Sequence, residues 1–154
     1  MLGTLGTLGA AAVTGALTVA TPGTALAQQF GQQESVQDAL KRLFGARPIK
    51  DGSAVVKLDI PLIAENGAVV PVSVDVQSPM TPQNHVKSIY VIADKNRIPV
   101  VTHVALVPEA GAAFMGANIR LGETMDVRVI VEQNDGTLLA VKREVKVTVG
   151  GCGG

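Results

Sequence analysis

The chain has 154 residues, which is enough for one domain with a hydrophobic core and short for two. Its 13 Lys and Arg residues balance its 13 Asp and Glu residues, aromatic residues make up 3%, and tryptophan is absent. A neutral chain with so few aromatic rings lacks the positive field and the stacking surfaces of nucleic-acid-binding proteins, and no net charge draws it to an anionic membrane surface. The composition therefore argues against nucleic acid or a membrane as its partner.

The first 27 residues contain no Lys, Arg, Asp or Glu and are typical of the apolar part of a secretory signal. Ala25-Leu26-Ala27 fits the A-x-A pattern of a cleavage site before Gln28. A membrane anchor or a buried segment is the alternative, but an anchor needs roughly 18 consecutive apolar residues, and glycines and threonines interrupt this run. The positively charged start of a signal is not seen. We predict a signal peptide over 1–27, cleavage near Ala27, and a mature protein of 154 − 27 = 127 residues.

A domain is predicted over 28–149, and its first element is a helix over 34–45, ESVQDALKRLFG, after a polar start. Ser35 is a typical helix-capping residue with an acidic residue three positions later. Gly45 ends the apolar pattern, and Pro48 prevents its continuation. The apolar residues recur at helical spacing along one face: Val36, Ala39, Leu40, Leu43 and Phe44. At about ten residues the helix is too short to be stable alone, so we expect it to pack on the rest of the domain.

From residue 53 the apolar residues alternate with a period of two, which is typical of β-strands. Asn66-Gly67 and Asn134-Asp135-Gly136 are turn sequences, and the first predicts a tight hairpin with positive φ angles. Pro61 and Pro71 place the first two strands at a sheet edge or beside bulges. The predicted strands are 53–62, 68–77, 88–94, 98–108, 113–121, 124–133 and 137–149. About seven short strands predict a mainly β protein, an immunoglobulin-like antiparallel β-sandwich with one short N-terminal helix.

The chain ends in GGCGG, residues 150–154, directly after the last predicted strand. Val145, Val147 and Val149 alternate with polar residues, so we expect one face of this strand to be buried up to Val149. Glycine samples more backbone conformations than any other residue, and so we predict that the chain is released at Gly150 as a flexible arm. Fully extended, the arm carries Cys152 on the order of 10 Å beyond the last fixed residue.

Cys152 is the only cysteine in the sequence. In an oxidising compartment a lone cysteine cannot pair within its own chain, so it is either an intermolecular link or a free reactive thiol. Reactive thiolates form beside a cation, a histidine or a helix N-terminus, and the arm contains none of these, the nearest basic residue along the chain being Lys146. We therefore expect partner proteins to activate this thiol. Taken alone, GGCGG is as typical of an unstructured tail or a labelling handle as it is of an arm with a reactive thiol.

The chain resembles the SoxY family, the sulfur-carrying subunits of the bacterial Sox thiosulfate-oxidation system, along nearly all of its length. The resemblance lies in the leader, the short helix, LDIPLIAENGAVVPVSVDV at 58–76, IYVIADKN at 89–96 and VGGCGG at 149–154, the last being the most specific. It implies that Cys152 carries the substrate covalently, as an S-thiosulfonate or a persulfide. It also implies a carrier rather than an enzyme, with no cofactor of its own, whose swinging arm includes Gly150, Gly151, Gly153 and Gly154.

The resemblance also implies partners and a compartment. In this family a SoxZ-like β-sandwich subunit forms a heterodimer with the carrier, and the haem cytochrome SoxAX couples thiosulfate to the cysteine. The hydrolase SoxB then releases sulfate, and the sulfur dehydrogenase SoxCD can oxidise the remaining sulfur. These carriers work in the periplasm. Family members usually leave the cytoplasm by the twin-arginine route, and no pair of arginines precedes residue 27 here, which leaves the export route open.

Two other functions fit part of the same pattern. Gly153-Gly154 is also the ending of ubiquitin-like sulfur carriers, which bear sulfur as a terminal thiocarboxylate; the predicted leader argues against this, because that chemistry is cytosolic. An exported immunoglobulin-like assembly module would instead use Cys152 for an intermolecular disulfide, and a disulfide-linked dimer is its expected form.

The remaining residues that often carry chemistry are predicted to be structural. His85 and His103 are the only histidines, and two histidines with one tail cysteine do not supply a metal site with three or four ligands. The DKNR stretch at 94–97 is most simply a solvated turn, or else part of a docking surface. No phosphate-binding glycine loop, Ser-His-Asp set or C-x-x-C motif stands out. Three methionines are predicted to fill the core or an interface: Met80, Met115 and Met125.

Overall fold

The computed structural model describes residues 30–152, together with Gly3 and Gly154. The predicted signal peptide over 1–27 therefore lies, apart from Gly3, outside the described residues, as does Gly153 of the arm. The elements of the described part of the chain are helix α1 (Val36–Phe44), nine strands and a short 3-10 turn at Pro108–Ala110. The strands are β1 (Ile49–Asp51), β2 (Val56–Asp59), β3 (Ile63–Asn66), β4 (Val70–Val76), β5 (Val86–Ala93), β6 (Val100–Ala105), β7 (Ala113–Ile119), β8 (Met125–Gln133) and β9 (Leu138–Val149).

Helix α1 forms as its sequence predicts. The Ser35 hydroxyl accepts a hydrogen bond from the Asp38 N–H at 3.1 Å and donates one to the Asp38 carboxylate at 2.7 Å. Gly45, whose φ is 62°, closes the last turn with a backbone hydrogen bond of 2.8 Å. The apolar face packs on a sheet, where the buried Phe44 ring meets the Tyr90 ring edge-on with 5.1 Å between centroids. This docking supplies the stability that a nine-residue helix lacks on its own.

The strands form two sheets with a core between them, and the predicted mainly β fold class is confirmed. One sheet has six strands in the order β1-β9-β8-β5-β6, with β3 also paired to β9, and the other has three in the order β2-β4-β7. Residues from both sheets, such as Val74 and Val129, fill the space between them, together with Met80, Met115 and Met125. The three methionines therefore take the first of their two predicted roles. No helix in the described part of the chain is long and apolar enough to cross a membrane.

Two details of strand number and pairing differ from the prediction. The described residues contain nine strands rather than about seven, and two of them, β1 and β3, pair parallel to β9. Ile49 of β1 lies opposite Leu138, while Ile63 of β3 lies opposite Lys146, so the two short strands share one edge of β9. The reason is length, because the 12 residues of β9 leave a long row of backbone groups that need partners.

The hairpin predicted at Asn66-Gly67 is wrong. β2 and β4 do pair antiparallel, but β3 lies between them in sequence and crosses to β9 in the other sheet. Among the described glycines only Gly45, Gly111 and Gly136 have positive φ, so Gly67 makes no primed turn. Its N–H instead donates to the Val149 carbonyl at 2.7 Å. Gly136, with φ at 86°, does provide the turn predicted between β8 and β9.

Candidate functional site

The C-terminal arm starts where β9 meets β3. The parallel pairing of these strands places Asn66, at the end of β3, beside Val149, at the end of β9. The Val147 N–H donates to the Thr124 hydroxyl at 3.0 Å, which ties the end of β9 to the loop between β7 and β8. Val149 itself is 62% exposed, so the predicted burial of this face does not extend to the last residue. The hydrogen bonds of its backbone, rather than its side chain, hold the root of the arm.

Two loops contact the arm beyond this root, so the chain has hydrogen-bonded partners after Gly150. We call these loops the cradle: residues 66–68, after β3, and residues 120–122, after β7. The Gly151 N–H donates to the Leu121 carbonyl at 2.9 Å, and the Leu121 N–H donates to the Gly67 carbonyl at 2.8 Å. Gly151 is buried in this contact. The arm therefore lies against the body of its own chain.

Gly150 and Gly151 fit the cradle because they have no side chains. A Cβ at position 150 would lie 2.2 Å from the Gly122 carbonyl oxygen, and one at position 151 would lie 2.6 Å from the Gly67 carbonyl oxygen. A Cβ at Gly154 would lie 2.4 Å from the Gly122 nitrogen. Backbone atoms cannot yield as a flexible side chain can, so any of these additions would separate the arm from the loops. The glycines thus have a steric role besides the flexibility that their sequence predicts.

Cys152 lies exposed on the docked arm, with its thiol free. Its carbonyl accepts a hydrogen bond from Nη1 of Arg120 at 3.1 Å. The end of β7 brings Arg120 to the arm from 32 positions away along the chain, so this cation is absent from the sequence neighbours of Cys152. Nothing in the local sequence distinguishes Arg120, whose role follows from the packing of the cradle.

Asn96 is a buried polar residue that supports the cradle. Its Nδ2 donates to the Arg120 carbonyl at 2.7 Å, and its Oδ1 accepts from the Gly122 N–H at 3.2 Å. These two bonds fix the 120–122 loop on either side of Leu121, whose carbonyl accepts the hydrogen bond of the Gly151 N–H. Asn96 is only 6% exposed, so the prediction of a solvated turn at 94–97 is wrong for this residue. A turn sequence rich in polar residues gave no sign that one of them points inward.

The histidines make their contacts elsewhere in the fold. The His103 ring stacks on the Phe30 ring and also contacts the Tyr90 ring, with 4.5 Å between centroids in each pair. Burial in this cluster lowers the pKa of His103. Nδ1 of His85 lies 3.1 Å from the Thr81 carbonyl oxygen. Within residues 30–152 and at Gly154, no three side chains of the metal-binding types are grouped together.

Comparison with known families and structures identifies the chain. The family model described as sulfur oxidation protein SoxY matches residues 40–152, a range that includes the sandwich, the cradle and Cys152. The chain belongs to the SoxY family. A solved structure of the sulfur carrier protein SoxY from Chlorobium limicola f thiosulfatophilum is 31% identical to it, with a TM-score of 0.62 over 75% of this chain and 97% of that chain. SoxY membership assigns the chain to sulfur oxidation as a carrier that works with partner proteins.

The SoxY sandwich also resembles proteins outside the family. Superoxide reductase (neelaredoxin) from Ignicoccus hospitalis is 18% identical, with a TM-score of 0.53 over 60% of this chain and 80% of that chain. A hypothetical protein from Pyrococcus horikoshii OT3 is 16% identical, with a TM-score of 0.51 over 64% of this chain and 96% of that chain. At these identities the similarity shows a common fold alone. No curated protein sequence matches the chain significantly.

Proposed function

We propose that this SoxY-family protein carries sulfur substrates covalently on Cys152 during thiosulfate oxidation and presents them to partner enzymes. The observation that supports this is the position of the only cysteine, which lies exposed on a terminal glycine arm in a chain of this family. Because glycine flanks Cys152 on both sides, a narrow active site meets only the backbone and the thiol. Sulfur bound to a cysteine sulfur is a reversible state, so the carrier needs no cofactor of its own.

The proposed cycle forms and breaks bonds only at the Cys152 sulfur and at its cargo. In the first step the thiol and thiosulfate join to form an S-thiosulfonate, releasing one proton and two electrons, which the haem cytochrome of a SoxAX-type partner accepts. Water then cleaves the terminal sulfur–sulfur bond in a SoxB-type hydrolase, so that sulfate leaves and a persulfide stays on Cys152. A SoxCD-type dehydrogenase can oxidise that outer sulfur further, with oxygen atoms from water and with its electrons passed to the haem of a cytochrome acceptor, and hydrolysis of the oxidised sulfur as sulfate returns the Cys152 thiol. The chain supplies the anchor, and the partners supply the catalysis.

We further propose that the protein works in the periplasm as a heterodimer with a SoxZ-like subunit. The apolar segment before Gln28 supports export, and a covalent anchor keeps each reactive intermediate from diffusing away between enzymes. A short linker also raises the effective concentration of the cargo at each docked enzyme.

Replacement of the cysteine tests the proposal. Cys152→Ser should abolish thiosulfate oxidation in a reconstituted system, because serine cannot form the sulfur–sulfur bond, while circular dichroism and the melting temperature stay unchanged. The matched comparison is deletion of Gly153 and Gly154: a thiocarboxylate carrier loses all activity, whereas a cysteine carrier keeps part of it. Turnover of the serine variant at the wild-type rate would refute a role for Cys152.

Electrophoresis without reductant separates the proposal from an assembly module. Protein taken from cells with its thiols blocked at lysis should be mainly monomeric or bound to its non-covalent partner. A module that uses Cys152 for assembly would instead appear as a stable disulfide-linked dimer that a reductant dissociates.

A further inference from the structure

We propose that the cradle is a binding site for the arm of the same chain, so that the arm exchanges between a docked state and a free state, and that Arg120 is its latch. The free state is the one that partner enzymes receive. The docking itself stands on geometry alone, whereas its effect on sulfur transfer rests on the function proposed above.

The first support is that the contacts form a continuous set across the cradle. The Val149 carbonyl accepts from the Gly67 N–H, and the Gly67 carbonyl accepts from the Leu121 N–H. The Leu121 carbonyl in turn accepts from the Gly151 N–H. The 66–68 loop thus holds the 120–122 loop and the root of the arm at Val149, and the 120–122 loop holds the arm itself at Gly151. A tail that rested on the surface by chance would not complete such a set.

The second support is steric. A Cβ at Gly151 would lie 2.6 Å from the Gly67 carbonyl oxygen and 2.7 Å from the Ala68 Cα. A Cβ at Gly150 would lie 2.2 Å from the Gly122 carbonyl oxygen. Only glycine reaches these positions without displacing backbone atoms. The cradle is therefore complementary to the main chain of this arm rather than to a general peptide.

The third support is the latch. Arg120 is exposed, yet its guanidinium is directed to the Cys152 carbonyl, one residue beyond Gly151, whose N–H binds the Leu121 carbonyl of the cradle. The carbonyl of the same residue is held by the buried Asn96. The buried Asn96 side chain thus positions Arg120, which binds the arm at the carbonyl of Cys152.

Docking restrains the movement of Cys152 without covering its thiol. All contacts named above are made by main-chain atoms of the arm, and the side chain of Cys152 remains exposed. A small reagent therefore meets the thiol in either state, but a partner with a deep channel requires the free arm. Among the described residues beyond Val149, the cradle and its latch hold the arm by two hydrogen bonds, one at Gly151 and one at Cys152. So few bonds, opposed by the large entropy of glycine, make the docked state reversible.

Amide hydrogen exchange on the full chain, followed by NMR, tests the docked state. We expect the residue 151 amide of the wild-type protein to exchange at least about tenfold more slowly than in an unstructured glycine peptide. Gly151→Ala should remove this protection, since its Cβ cannot enter the cradle. Arg120→Gln, which leaves the arm intact, should reduce the protection by about threefold to tenfold, the effect of losing one hydrogen bond.

Matched controls separate docking from general stability. Gly116→Ala makes the same change in β7, where the nearest atoms to the new Cβ are 3.5 Å away in the Phe114 ring, and should leave the exchange unchanged. Arg143→Gln removes an exposed arginine of β9 and should also have no effect. Wild-type exchange at the rate of an unstructured peptide would overturn the proposal, as would full protection in Gly151→Ala.

The consequence for transfer is tested with Arg120→Gln and a SoxAX-type partner. If docking competes with loading, the initial rate of Cys152 loading at low partner concentration should rise by up to the factor by which the protection falls. Alkylation of Cys152 by a small reagent should not change. A loading rate that stays at or below the wild-type value, while protection falls, would overturn the competition between docking and transfer. Failure of the carrier function is distinct, because it would appear in Cys152→Ser and leave the exchange pattern as it is.

Discussion

Asn96 shows how a single side chain prepares the surface on which the arm lies. It is one of two buried polar residues, with Ser88, among the described residues. An amide is suited to this place because it donates with one atom and accepts with the other, and here the two atoms bind the main chain on either side of Leu121. The loop is thereby held with the Leu121 carbonyl free to receive the arm.

Asn96→Ala tests this role. The variant leaves the Arg120 carbonyl and the Gly122 N–H without their partner, which we expect to cost about 1–3 kcal/mol of the free energy of unfolding. Urea unfolding measures the loss. Asn118→Ala, at an exposed position of β7, is the matched control and should cost less than about 0.5 kcal/mol. Equal stabilities of the two variants would contradict the structural role of Asn96.

His103 contributes to stability in a way that depends on pH. Desolvation by burial disfavours its charged form and lowers its pKa, while the charge of Glu132 opposes this in part. The unfolded chain, where histidine has a pKa of about 6.5, therefore binds the proton more readily than the folded chain does. The contribution of neutral His103 to the free energy of unfolding is therefore complete above a pH of about 6.5. It is lost as the pH falls through the lower pKa that His103 has in the folded state.

A comparison of wild type with His103→Gln across pH checks the sign of this effect. The difference in melting temperature between the two proteins should shrink as the pH is lowered from about 7.5 to about 5, because only the wild type must bury a group that takes up a proton. His103→Phe, which retains an aromatic ring beside Phe30 and Tyr90, should show the same weak pH dependence as His103→Gln. If the difference in melting temperature between wild type and His103→Gln grows as the pH is lowered, the fold stabilises the protonated form of His103, against this account.

At the scale of elements, the helix and β9 illustrate two kinds of control. Helix α1 is decided locally, by Ser35 at its start and Gly45 at its end, and then docks through Phe44. β9 is decided by distant partners, because β1 and β3 lie on one edge of it and β8 on the other. The end of β9, and hence the position of the arm, depends on pairing with these three strands.

Phe44→Ala measures how much the helix depends on its docking. The ring is buried between the helix and Tyr90, so we expect the truncation to cost about 3–5 kcal/mol in urea unfolding. Leu43→Ala, which removes a partly buried side chain from the same turn, should cost less. If the alanine variant does not fold, Phe44→Leu provides the milder change. A loss below about 1 kcal/mol for Phe44→Ala would contradict the account of the helix.

Sequence patterns predicted the features that depend on neighbours in the chain and missed those that depend on distant contacts. The capped helix, the strand alternation and the Gly136 turn could all be derived from short stretches. The Asn66-Gly67 pair was misleading because its turn preference is weaker than the parallel pairing that draws β3 to β9. Arg120 and Asn96 were missed since neither carries a local motif. The contacts of the arm could not be predicted from the sequence. A run of glycines predicts a flexible backbone, but the lack of side chains also lets the same glycines pack closely against another backbone.

At the scale of the molecule, the arm lies where the two sheets are connected. The 66–68 loop runs from β3 in the six-stranded sheet to β4 in the three-stranded sheet, and the 120–122 loop returns from β7 to β8. Both connections contact the arm, so the sandwich places Cys152 at a junction that is held from both sides. The body thus has two functions in the proposed cycle: it presents Cys152 at the surface, and it determines how often the arm is free to leave.

Intact-mass spectrometry of the native protein tests whether Cys152 bears the sulfur cargo. Protein isolated during thiosulfate oxidation should carry added sulfur or a thiosulfate-derived group, and fragmentation should assign the addition to Cys152. Treatment with a thiol reductant should remove it, because the cargo is held by a sulfur–sulfur bond. An unmodified Cys152 throughout turnover, or an addition assigned to the carboxyl end of Gly154, would contradict the account.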